Sequence, residues 1–267
     1  LFAGRVKFPR ELKASPHGRS ILFAERLWKL VGGKHSCVSP LFTDVVHLRP
    51  ENSAIERHLQ LLAPLGLSTK PELLRPLLYP TELDEKVVDD VLSSIPRENL
   101  IALAPGSVWA TKRWSAESYT SITRELVREG YSVVFVGGES DRALCTQITD
   151  KLQSSRVLNA CGQLTPLQSA ALLKRCRLLI TNDSAPMHLA AAMETPCVAI
   201  FGPTSPAFGF APIGGHNVIL ERKSLPCRPC TPHGGNRCPI GTHECMTGIS
   251  VDEVRAAAFD LLETVEK

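Results

Sequence analysis

The 267-residue chain has no long hydrophobic run: its apolar stretches fall well short of the roughly 20 residues that a membrane-spanning helix requires. Leu1 to Arg10 lacks the apolar core of a secretory leader. The charge balance is nearly even, with 30 basic and 27 acidic residues and a net +3. That is too weak an excess to indicate a nucleic-acid partner, and none is expected. It is compatible with an anionic small ligand or a transient membrane contact. Neither a G-x-G-x-x-G fingerprint nor a Walker P-loop occurs, which argues against a nicotinamide dehydrogenase and a P-loop nucleotidase. There is also no Gly-Asp dipeptide and no initiator methionine. The chain opens on Leu1-Phe2-Ala3-Gly4-Arg5-Val6, which reads as the interior of a fold. The expectation is that an N-terminal portion lies upstream.

What is present is core material: 43% of residues are hydrophobic, enough for two modest α/β domains or one large one. Residues 1–80 read as an incomplete domain. It holds a short strand at Val45–Leu48, a helix over Asn52–Leu65, and a polar loop carrying Lys13, His17 and Arg19. Four prolines from Pro64 to Pro80 exclude long regular elements there. Leu83–Ile95 reads as a connecting helix in an 81–99 linker. From residue 100, strands and helices alternate. Strands are expected at Leu100–Ala104, Ser132–Val136, Arg156–Asn159, Leu178–Thr181, Pro196–Phe201 and Val218–Leu220. Helices are expected at Ala116–Glu129, Asp141–Leu152 and, with Pro166 at its first position, to about Lys174, with two more beginning near Ser184 and Ser250. Thr165-x-x-Gln168 and Ser250-x-x-Glu253 are capping boxes. Repeated βα units imply a doubly wound parallel sheet with ligands at the strands' carboxyl ends.

One stretch organises the rest. The apolar run Leu178-Leu179-Ile180 stops at Thr181-Asn182-Asp183-Ser184, and a small-residue helix follows through Ala185, Pro186, Met187 and His188. Asp183 or Ser184 is placed to cap that helix, and Pro186 suits its first turn. Its free N–H groups and positive dipole end favour a phosphate. Ser184 and His188 are four apart and share a helix face. The alternative is an ordinary capped helix with a surface histidine. Four further loops fall on the same sheet edge. Pro105–Trp114 offers Gly106 for close approach, hydroxyls including Ser107, and the cations Lys112 and Arg113, either of which suits a phosphate. Gly137–Asp141 places Glu139 where a ribose hydroxyl can be bound, or simply at a helix's positive end. Cys161–Leu164 presents Leu164 to a flat base or to the core. Phe201–Pro206 brings Gly202 and Thr204 to a tight turn.

Together these motifs resemble glycosyltransferase family 9. The residues concerned are Ala104-Pro105-Gly106, Lys112-Arg113-Trp114, Val136-Gly137-Gly138, Thr181-Asn182-Asp183-Ser184 with His188, and Phe201-Gly202-Pro203-Thr204. The likeness is nearest to the heptosyltransferase II branch of the ADP-heptose:lipopolysaccharide heptosyltransferases. It spans residues 100–267 and continues more weakly upstream. The resemblance implies an α/β fold of GT-B type, with two Rossmann-like domains, the N-terminal one incomplete here. It implies an inverting, metal-independent transfer of heptose from ADP-heptose to the lipid A-core acceptor of lipopolysaccharide. Lys112 and Asp183 would be catalytic. The donor would contact Gly106, Ser107, Lys112, Glu139, Leu164, Asn182, Asp183, Ser184, Ala185, His188, Gly202 and Thr204. The family's general base lies in an N-terminal Gly-Asp turn, which this sequence lacks. A cytoplasmic enzyme touching the inner membrane peripherally is implied. A GT-B transferase for another nucleotide sugar and a non-catalytic nucleotide-binding module are the competing readings.

Nine cysteines remain. Cys37, Cys145, Cys161, Cys176 and Cys197 sit in core-like surroundings and read as buried thiols. Cys227, Cys230, Cys238 and Cys245 are clustered and have the count, and one spacing, of a structural zinc site, with His233 and His243 as alternative ligands. Free thiols or disulfides are the alternatives. No cofactor is required for the implied chemistry.

Overall fold

The computed structural model describes residues 5–9, 42–49, 52–67, 75–214 and 216–265. The chain divides into two compact units, Leu1–Leu74 and Arg75–Lys267. Cys37 and the Lys13, His17 and Arg19 loop lie outside the described residues.

In the first unit, β1 (Arg5–Pro9) pairs antiparallel with β2 (Phe42–His47), Arg5 opposite His47. Helix α1 (Ala54–Gln60) is opened by a Ser53–Glu56 capping box. It is shorter than its apolar periodicity suggests. Pro64 has no N–H to give the Gln60 carbonyl, so a 3₁₀ turn replaces the helix and Gly66 ends it at φ 73°.

The second unit carries a six-stranded parallel sheet. Its strands are β3 (Leu100–Ala104), β4 (Ser132–Phe135), β5 (Val157–Asn159), β6 (Leu178–Asn182), β7 (Cys197–Phe201) and β8 (Asn217–Glu221). The spatial order is β5-β4-β3-β6-β7-β8, the doubly wound order in which the chain reverses direction between β3 and β6. Helices α2 (Glu82–Val91), α5 (Pro166–Lys174) and α6 (Ala185–Ala192) cover one face. Helices α3 (Ala116–Arg128), α4 (Arg142–Thr149) and α8 (Val251–Val265) cover the other. A short helix, α7 (Glu244–Thr247), precedes α8.

Alternation along β3 builds both layers. Ile101 and Leu103 join Tyr119, Ile122 and Phe135 in one core, while Leu100 and Ala102 join Val88, Leu172 and Met187 in the other. All five β3 residues are buried, as a sheet covered on both sides requires. Helix α2 belongs to this unit: Arg175, just beyond α5, pairs with Glu85 at 2.5 Å and Asp89 at 2.7 Å. It ends before Ile95 because Pro96 forces the preceding residue into extended backbone, φ −132° and ψ 155°. Cys145, Cys161, Cys176 and Cys197 are buried thiols.

Candidate functional site

Where a parallel sheet reverses direction, the loops after the two central strands diverge and leave a crevice at their carboxyl ends. Here those loops are Pro105–Trp114 after β3 and Asp183–Ser184 after β6. Between them lies a cavity of about 370 Å³, lined by Ser107, Lys112, Asp183, Ser184, His188 and Thr204 together with Ala185 and several aromatic residues.

The β6 corner is set by two buried side chains. Asn182 donates its amide to the Pro105 carbonyl at 2.8 Å and accepts the Trp114 N–H at 3.0 Å. It is fully buried, so it holds both ends of the β3 loop and does not line the cavity. Trp114 anchors that loop from the far side, donating its indole N–H to Ile249 O at 2.9 Å and meeting Tyr119 edge-on at 5.2 Å. Asp183, next along, points its carboxylate at Lys112: Nζ and Oδ2 are 2.6 Å apart, with the side chains 13% and 9% exposed. Thr204 Oγ1 donates to the same oxygen at 2.7 Å.

The structure separates the two cations of the β3 loop. Arg113 folds back and donates to Ser107 O through Nε at 2.9 Å and Nη2 at 2.7 Å, stiffening the loop. Lys112 alone reaches the corner. An ammonium carries three N–H groups, and Asp183 with Lys112 at the cavity wall leaves donors for an anion.

The expected cap is absent. Ser184 occupies the N-cap position of α6 without a side-chain bond to the helix. Its hydroxyl donates instead to Asn182 O at 3.3 Å, and the Asp183 carboxylate is taken by Lys112 and Thr204. Pro186 contributes no N–H. The Met187 N–H is taken by Ser184 O at 3.2 Å, so the first turn of α6 presents the Ala185 N–H and the positive dipole end beside Lys112. His188, one turn on, lines the cavity. Desolvation of its ring holds its pKa below the ordinary value, the Lys112 ammonium adds to this, and Asp183 opposes it.

Other residues named from the sequence lie away from the cavity lining. Gly106 is there because a Cβ would come within 2.3 Å of the Asp141 carboxylate, which also accepts the Gly138 N–H at 3.0 Å. Gly202 makes room for Met246 Sδ, 2.2 Å from where its Cβ would be. Glu139 is exposed and paired with Arg142 at 2.8 Å, a contact that lowers its pKa. Leu164 packs half-buried against the second core. Trp109, Phe208 and Phe210 line the cavity without a sequence signal that marks them, and His233, read from the sequence as an alternative zinc ligand, lines it as well. Aromatic side chains on loops carry no periodic signal.

Of the cysteine cluster, Cys230, Cys238 and Cys245 line a second small cavity with His243. The N–H groups of residues 240–243 surround Cys238, the His243 N–H being the strongest influence, and lower its thiol pKa. Among the described residues, no three Cys, His, Asp or Glu side chains are gathered in a metal-holding arrangement.

The glycosyltransferase family 9 (heptosyltransferase) model matches residues 30–236. The chain belongs to glycosyltransferase family 9. Curated relatives include lipooligosaccharide heptosyltransferase 2 of Campylobacter jejuni, 32% identical over 62% of this chain and 52% of that protein. Lipopolysaccharide heptosyltransferase 2 of Salmonella typhimurium is 30% identical over 69% and 61%, respectively. Among solved structures, Escherichia coli ADP-heptose lps heptosyltransferase II is 26% identical, with a TM-score of 0.62 over 74% of this chain and 57% of that one. A Veillonella parvula family 9 glycosyl transferase is also 26% identical, with a TM-score of 0.72 over 85% and 64%. The chain thus spans about half the length of the curated relatives it matches. Of the five motifs, those at Lys112, Asp183–His188 and Thr204 meet at the switch point of the six-stranded sheet, while Ala104-Pro105-Gly106 and Val136-Gly137-Gly138 stay off the cavity lining. Among the described residues, no helix is long and apolar enough to cross a membrane.

Proposed function

We propose that this chain carries the donor half of a heptosyltransferase, one that transfers heptose from ADP-heptose to the inner core of lipopolysaccharide. The observation that carries the reading is the Lys112–Asp183 pair at 2.6 Å beside the uncapped start of α6, at the sheet's reversal point. The heptosyltransferase 2 relatives supply the substrate class.

In an inverting transfer, an acceptor hydroxyl attacks the anomeric carbon as the bond from that carbon to the diphosphate breaks. The departing β-phosphate gains negative charge. Lys112, the Ala185 N–H and the positive end of α6 stabilise that charge where it develops, which is the preorganised electrostatic contribution that lowers such barriers. Asp183 keeps Lys112 in place, Thr204 keeps Asp183 in place, and the heptose lies against this carboxylate. His188, whose pKa the ligand-free fold lowers, lies at the diphosphate's edge as a hydrogen-bonding partner. The acceptor's proton leaves through a base outside this set. Glu139 and Leu164 sit beyond the cavity along the β4 and β5 loops, on the side where the ribose and adenine would extend.

The chemistry asks for no metal. The clustered cysteines suit a thiophilic ion in kind, Cys238 being held toward thiolate, but among the described residues no three of them are gathered in the fold, so a structural zinc would have to draw them together. Elemental analysis of protein purified without chelator tests it: one zinc per chain supports the assignment, and none removes it.

The transferase reading is tested by incubating the full polypeptide with ADP-heptose and a heptose-deficient lipopolysaccharide core. Release of ADP with a mass gain of one heptose on the acceptor is expected. ADP binding without transfer would contradict it in favour of a binding module.

A further inference from the structure

The segment from Arg222 to Gly248 is rich in proline, glycine and cysteine and gives the cavity only Pro232 and His233 of its lining. It nevertheless grips both halves of the Lys112–Asp183 pair. On the Lys112 side, Thr111 and Gly235 exchange three hydrogen bonds: Thr111 N–H to Gly235 O at 3.0 Å, Thr111 Oγ1 to Gly235 O at 2.7 Å, and Gly235 N–H to Thr111 Oγ1 at 2.9 Å. His243 Nε2 donates to Thr111 O at 2.7 Å. Gly234, at φ 96°, lies so close to the Lys112 stem that a Cβ would come within 3.0 Å of Cγ.

On the Asp183 side, the buried Arg228 guanidinium, 4% exposed, holds the turn that carries Thr204. Its Nη2 donates to Thr204 O at 2.7 Å, its Nε donates to Gly202 O, and Glu221 balances its charge at 3.0 Å. Cys230 N–H donates to Pro203 O at 2.8 Å.

We propose that this segment is a clamp that fixes the spacing between Lys112 and the Asp183–Thr204 pair, with His243 and Arg228 as its positioning residues. The inference deepens the transferase reading and rests on it for the catalytic consequence alone. Thr111, Gly202, Pro203 and Thr204 are loop residues, and loops hold a geometry only where their backbone groups are tied down. Each carbonyl of Gly202, Pro203 and Thr204 receives one donor from the segment. The carbonyl before Lys112 receives another. The clamp thereby supplies the rigid support that a pair of charges needs to keep a productive distance. Misplacement on the order of 1 Å costs on the order of a hundredfold in rate.

The test uses the full chain and reads Lys112 directly. N-hydroxysuccinimidyl acetate acylates free lysine amines, and peptide mass spectrometry follows Lys112. In the wild type, the half-buried, paired Lys112 reacts slowly. His243→Leu and Arg228→Met are expected to speed its acylation severalfold and to raise hydrogen exchange at 110–113 and 202–205, respectively. His243→Gln keeps an N–H donor and is expected to restore the slow rate. In the transfer assay, kcat falls about tenfold or more in the first two variants while the donor KM changes far less. Since Arg228→Met also strands Glu221, the half-buried His243 pair keeps the test clear of misfolding.

Unchanged Lys112 acylation in both His243→Leu and Arg228→Met overturns the clamp, whatever happens to turnover. So does a His243→Gln variant as loose as His243→Leu. If acylation responds as described while the wild type fails to bind ADP, the clamp stands and the transferase reading falls.

Discussion

Replacing Lys112 with methionine separates the two tasks assigned to it. Methionine keeps the methylene stem against which Gly234 lies and removes only the ammonium. The first consequence is for stability. Removing one partner of a fully buried ion pair costs about 3–5 kcal/mol, because the other charge is left uncompensated. Here Asp183 is 9% exposed and keeps the Thr204 hydroxyl on the same oxygen, so the loss should lie near about 2–3 kcal/mol. In a unit of this size, each kcal/mol lowers Tm by about 2–4 °C, giving a fall of about 4–12 °C. Adding Asp183→Asn to Lys112→Met removes the stranded charge and should recover most of that loss. The second consequence is for the ligand. A hydrogen bond to a charged group contributes about 1.5–3 kcal/mol, so ADP affinity should drop roughly 10- to 150-fold. The double variant should not recover it. Calorimetric titration with ADP and thermal unfolding followed by circular dichroism give both numbers. An ADP affinity within about twofold of wild type in Lys112→Met would refute the diphosphate assignment, however large the fall in Tm.

Three further outcomes follow from neighbouring contacts. The lowered pKa of His188 means that the folded protein resists protonation there, so stability rises with pH up to the unfolded value near 6.5. A bound diphosphate favours the imidazolium, so ADP should bind more tightly as pH falls from about 8 to 6, with proton uptake, and His188→Gln should flatten that dependence in calorimetric titrations. Asn182→Ala leaves the Pro105 carbonyl and the Trp114 N–H unpaired in the core and should cost about 2–4 kcal/mol in denaturant unfolding; a cost below about 0.5 kcal/mol would sink the bridging role. Gly106→Ala drives a Cβ into the Asp141 carboxylate and should destabilise by about 1–3 kcal/mol, relieved by adding Asp141→Ala; no relief in the double variant would show that the crowding lies elsewhere.

Much of the second unit was legible because it is built from local signals. The bounds Leu100–Ala104 and Pro166–Lys174 appear in the structure as read from the sequence, the first from a continuous apolar run between turn residues and the second from a capping box with proline at N1. The corner at Asn182–His188 was legible for the same reason: a buried strand that ends in short polar residues before a helix announces a turn at a carboxyl edge. The separate fates of Lys112 and Arg113 were not legible, since both are cations on one loop and only the fold sends Arg113 back to Ser107 O. The cap on α6 was misjudged because Ser184 had a better-placed acceptor in Asn182 O, and Asp183 had Lys112. The grip of Arg228, Gly235 and His243 on the site left no trace in the sequence. Its bonds join residues as far as 132 positions apart, and most of their acceptors are backbone carbonyls that any residue supplies.

The measurement that bears most directly on the whole account is a crystal structure of the full polypeptide with ADP. The β-phosphate is expected within hydrogen-bond distance of Lys112 Nζ and of the Ala185 N–H at the start of its helix, with Asp183 still beside the ammonium. A diphosphate bound away from that corner, with Lys112 untouched, would contradict it.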